Sequence, residues 1–140
     1  MSQNTSIYHV EGKKPVASSP SGDHIALVGK YTYVKGGSEK YTQECSLNAD
    51  GTATFKEGGD TRTETWERSG SGCWKVEEDY VRIYCDLKKV SKSKGNVPIP
   101  GFDKNEEKLD ANCAVELKLK EFQTAPPAGP TAPKNRWTKL

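Results

Sequence analysis

The sequence predicts an all-β protein, an antiparallel up-and-down meander of about seven or eight strands. Short runs of alternating apolar and polar residues follow one another through the middle of the 140-residue chain. Turns rich in Gly, Asp, Asn and Ser separate them, and no amphipathic helical pattern of useful length interrupts them. Such a sheet must protect its edges. Closure into a barrel removes them altogether, so a barrel is expected, with a two-sheet β-sandwich as the alternative.

The length fits one domain. Residues 1–22 carry Lys13-Lys14-Pro15 and Ser18-Ser19-Pro20-Ser21-Gly22, which bury little, and read as a flexible N-terminal segment in which Ile7 to Val10 can add a short edge strand. Residues 23–122 form the β-domain, and residues 123–140 a Pro-rich, disordered tail.

Within the domain, Ile25, Leu27, Gly29, Tyr31 and Tyr33 occupy every second position and share one face of a first strand, which Gly36-Gly37-Ser38 closes. Tyr41, Gln43, Cys45 and Leu47 share a face of the next, and Asn48-Ala49-Asp50-Gly51 is a hairpin turn whose Gly supplies a positive φ. Thr52 to Lys56 is a short strand facing inward through Ala53 and Phe55, turned back by Glu57-Gly58-Gly59-Asp60. Thr61 to Arg68 follows, with Trp66 either shifted inward by a bulge or left half exposed, and Ser69-Gly70-Ser71-Gly72 ends it.

The sharpest hairpin is Cys73 to Val76, a turn at Glu77-Glu78-Asp79-Tyr80, and Val81 to Cys85. Its register sets Val76 against Val81 and Trp74 against Ile83. One face is then apolar, while Cys73, Lys75, Arg82 and Tyr84 form a solvated exterior. Lys88 to Glu107 reads as a long irregular loop, a candidate lid. Ala111, Cys113, Val115, Leu117 and Leu119 alternate with polar or small residues in a last strand.

Gly29-Lys30-Tyr31 opening the first long strand, Leu47-Asn48-Ala49-Asp50-Gly51-Thr52 at a hairpin and Gly72-Cys73-Trp74-Lys75-Val76 in a later one resemble the small lipocalin-like (calycin) barrels over roughly Ile25 to Phe122. That resemblance implies a barrel whose inward side chains line a site for a small, partly apolar ligand. Tyr31 stands where lipocalins usually have Trp, and the paired portal helices of fatty-acid carriers have no counterpart here.

Composition narrows the function. With 21 Lys and Arg against 19 Asp and Glu, a net charge of +2 gives no field able to draw the chain onto nucleic acid or anionic lipid. No secretory leader and no membrane-spanning run is seen, so a cytoplasmic monomer is expected, with no nucleic-acid and no membrane partner. Cys45, Cys73, Cys85 and Cys113 lack metal-ligand spacing. They read as reduced, buried thiols, Cys73 alone pointing outward, with one or two disulfides as the alternative. His9 and His24 form no triad or ligand pattern, so no catalytic residue, metal or cofactor is assigned.

The leading expectation is a non-enzymatic binding protein, its ligand walled by Tyr31, Tyr33, Phe55, Trp74, Ile83 and Val115. The alternative is a protein–protein interaction module, of which an inhibitor is one version. It would use the 88–107 loop with its basic run of Lys88, Lys89, Lys92 and Lys94, and the tail with Pro126, Pro127 and Trp137.

Overall fold

The computed structural model describes residues 6–9, 16–36, 40–61, 64–93, 106–127 and 134–140. Among the described residues, eight strands form one antiparallel sheet: β1 (Ser6–His9), β2 (Gly29–Val34), β3 (Lys40–Leu47), β4 (Thr52–Asp60), β5 (Glu64–Glu77), β6 (Tyr80–Ser93), β7 (Glu106–Lys118) and β8 (Trp137–Lys139). A 3-10 helix (Gly22–Leu27) precedes β2, and a one-turn helix α1 (Leu119–Gln123) follows β7. The spatial order is β1-β7-β6-β5-β4-β3-β2-β8, so the meander is carried by six consecutive strands. The two terminal strands are added at its edges, the first of them in the segment expected to supply a short edge strand.

The expected barrel does not form, and neither does a sandwich: the strands make one continuous sheet that ends at β1 on one side and β8 on the other. In place of a hydrogen-bonded seam, α1 contacts β6, β7, β8 and the 3-10 helix. Its Phe122 ring lies 4.5 Å from Tyr31 and 5.0 Å from Trp137. Aromatic packing thus ties α1 to the β2–β8 side of the open sheet. The lipocalin-like resemblance accordingly fails at the level of architecture. Among the described residues, no helix is long and apolar enough to cross a membrane.

The elements differ from the sequence pattern where glycines lie inside strands. Gly58 and Gly59 lie inside β4, and Gly70 and Gly72 inside β5. A Cβ at Gly70 would meet the Asp86 carbonyl oxygen at 1.9 Å, and one at Gly72 the Tyr84 carbonyl oxygen at 1.8 Å. These glycines let β5 lie close on β6 and do not end it. At Gly51 the turn reading holds, with φ at 88° and its N–H donating to the Asn48 carbonyl at 3.0 Å. At the other end of the first predicted strand, Gly22 to Leu27 is 3-10 helix and leaves Ile25 exposed.

The Trp74 hairpin has the predicted register, Val76 opposite Val81 and Trp74 opposite Ile83. Its turn is tighter, since Glu77 pairs with Tyr80 and Glu78 takes a positive φ of 55°. Beyond it the two ends of the expected lid are strand, because β6 runs to Ser93 and pairs with β7 from Ser91 opposite Glu106. The middle of that segment, residues 94–105 with Lys94 among them, lies outside the described residues. A register shift between Cys85 and Leu87 moves Ala111 to the exposed side, while Cys113, Val115 and Leu117 stay buried.

One face of the sheet is buried. Tyr31, Phe55, Trp74, Val81, Ile83, Leu87, Val115 and Leu117 form one contiguous core with Leu27, Phe122 and Trp137.

Candidate interaction surface

The residues expected to wall a ligand site do come together, as filling. Tyr31, Tyr33, Phe55, Trp74, Ile83 and Val115 are all buried in the single core. Their polar atoms are also engaged: the Tyr31 hydroxyl donates to the Leu27 carbonyl at 2.8 Å and the Trp74 indole to the Asn48 carbonyl at 3.0 Å. Burial pushes the Tyr31 hydroxyl up to about 12, the neighbouring Cys45 adding to the shift. With no closed barrel, the described residues enclose no lumen for the small apolar ligand that the sequence led one to expect.

The buried face also carries a polar row that the periodicity did not disclose. Strand pairing sets Trp137, Tyr33, Gln43, Glu57, Arg68 and Lys89 successively opposite one another. Gln43 is 0% and Glu57 3% exposed. The Glu57 carboxylate accepts from the Tyr41 hydroxyl and, at 3.0 Å, from Arg68. In the next row Trp66 lies beside Gly59, with Tyr41 6.0 Å away, Arg68 5.7 Å and Lys89 5.2 Å from its ring. Trp66 is thus half-buried without a bulge, since pairing on both sides of it is regular. The signal available in sequence was Trp66 sharing its side of the strand with Arg68.

The basic run divides between the two faces. Lys89 lies over Trp66 on the buried side. Lys88 and Lys92 point outward with Val90 between them. Lys88 meets Glu107 at 2.6 Å in an exposed pair, worth about 0–1 kcal/mol. The tail residues are placed differently from one another. Pro127 is exposed and bridges to Lys139, whereas Trp137 is 1% exposed, pairs with Tyr33 and stacks on Phe122.

The outer face of β5, β6 and β7 is the surface these placements leave open. Ser69, Lys88 and Leu109 form one row across it, Glu67, Val90 and Glu107 the next, and Thr65 and Lys92 the third. Leu109 is 66% exposed although it sits within a strand. A recess of about 390 Å³ is lined by Thr65, Trp66, Glu67, Ser69, Lys88, Val90 and Lys92. An apolar centre with lysines and glutamates at its rim matches the anatomy of protein-docking patches. Farther along β5 the outer face changes character: Cys73, expected in solvent, is buried, and Arg82 pairs with Glu116. All four cysteines are reduced and buried, and the described residues hold no cluster fit for a metal ion.

Compared with family models, with curated proteins and with solved structures, the chain matches none.

Proposed function

We propose that this protein is an interaction module that docks a partner protein on the outer face of β5, β6 and β7. The observation that carries this reading is Leu109, a large apolar side chain left exposed in the middle of a strand pairing, diagonal to Val90 and framed by Lys88, Lys92, Glu67 and Glu107. Together with Val90 it gives this face an apolar centre inside a charged rim, the make-up of a docking patch. Lys88 and Lys92 supply the charged rim. Lys89, turned to the other face, and the buried Trp137 serve the fold.

The test replaces both apolar positions, Val90→Asp with Leu109→Asp, and compares capture of binding proteins from cell extract by immobilised wild type and variant. The expected result is a protein retained by wild type and lost by the variant, whose circular dichroism and thermal midpoint are unchanged. An identical set of retained proteins overturns the reading.

A further inference from the structure

Cys85 and Cys113 sit directly opposite each other on β6 and β7. Facing residues of an antiparallel pair have Cα atoms about 4.5–5.5 Å apart, inside the span that a disulfide bridges, and their side chains share a face. Both thiols are fully buried in the same core. Neither remaining cysteine is placed to compete. Cys45 lies on β3, separated from β6 by β4 and β5, and Cys73, opposite Tyr84, lies on the outer face.

We propose that Cys85 and Cys113 are a redox site, joined by a cross-strand disulfide under oxidising conditions while Cys45 and Cys73 stay thiols. The step is thiol–disulfide exchange with a small disulfide such as oxidised glutathione. One cysteine thiolate attacks the small disulfide and releases one glutathione thiolate. The second cysteine then attacks the mixed disulfide and releases the other. Two protein thiols lose two protons and two electrons, and one glutathione disulfide becomes two thiols. Both side chains are out of reach of a reagent in the folded sheet, so the bond forms while the sheet assembles or opens, and is shielded once made. It pins β6 to β7 immediately before the register shift between Cys85 and Leu87.

The full chain is unfolded, refolded in a mixture of reduced and oxidised glutathione, alkylated, and digested without reduction. Two of the four thiols escape alkylation, the mass measured before alkylation falls by about 2 Da, and the peptide containing Cys85 is linked to that containing Cys113. The thermal midpoint rises by roughly 5–15 °C and returns on reduction. The Cys85→Ser variant refolded in the same buffer shows no intramolecular link and no rise. Four alkylated cysteines after refolding, or a link that joins any other pair, overturns the proposal.

Discussion

The two ends of the buried face are built from the same strands and answer to different physics. At one end, Leu47, Ala53, Cys85 and Cys113 lie in one row across five strands, with Gly72 between Ala53 and Cys85, and the neighbouring row continues with Trp74, Ile83 and Val115. Every one of these side chains is buried. At the other end, Gln43, Glu57, Arg68 and Lys89 occupy equivalent positions, with Tyr41 and Trp66 beyond them. Apolar burial at the first end is non-directional and tolerates any well-packed occupant. The second end depends on mutual satisfaction, because a buried carboxylate is stable only while its donors are in place. The difference shows how one open sheet keeps a unique arrangement without closing: packing supplies stability, and the polar row fixes which strand faces which.

The largest expected effect tests whether the apolar end extends through α1 to the last strand. Trp137→Ala removes a ring packed on Tyr33 and Phe122, and chemical denaturation should show a loss of about 3–5 kcal/mol. A loss below about 1 kcal/mol would mean that β8 rests on the sheet without belonging to its core.

Next is the polar row itself. Glu57→Gln leaves the partly buried Arg68 without its carboxylate and should cost about 2–3 kcal/mol. A double-mutant cycle with Arg68→Met should return a coupling of about 1–3 kcal/mol, whereas simple additivity would break the contrast between the two ends. A smaller effect is expected at Gly59, where a Cβ would lie 2.3 Å from the Trp66 indole nitrogen. Gly59→Ala should shift the Trp66 fluorescence maximum and cost about 1–2 kcal/mol as the ring moves off β4.

The mildest perturbation is alkaline pH. Burial, with a contribution from Cys45, raises Tyr31 from an ordinary value of 10.0 to about 12, and burial also raises Tyr33 and Tyr84. The folded state therefore holds these phenols neutral after the unfolded chain has begun to ionise. Stability is fully present below pH 10, and it falls as pH rises through the interval between 10 and 12. Denaturation midpoints measured across that interval should decline together with the rise in tyrosinate absorbance. Phenols that ionise near 10 with no loss of stability would contradict the burial of Tyr31.

What the sequence disclosed and what it withheld follow from the same distinction. The Trp74–Ile83 and Val76–Val81 register was legible because alternation and a short turn fix pairing locally. The extent of β4 and β5 was not, since Gly58, Gly59, Gly70 and Gly72 read as turns whenever the partner strand that needs a bare backbone is out of view. The strand character of Lys88 to Ser93 was hidden by charge, which marks a solvated face as readily as a loop. Closure was the least legible feature. Period-two patterning tells which side of a strand is buried, and an open sheet packed against α1 writes the same pattern as a barrel. The outer docking face is visible only once Lys88 is paired with Leu109 and Val90 with Glu107, contacts between strands whose sequence separation carries no periodic signal.

The most direct test of the central claim places a photo-crosslinking amino acid at Val90 in one sample and at Thr54, exposed elsewhere on the same outer face, in another. Both are irradiated in cell extract and the adducts located by mass spectrometry. The account predicts a discrete protein adduct at Val90, absent at Thr54 and suppressed by Leu109→Asp. Equal labelling at both positions, or an adduct indifferent to Leu109, would contradict it.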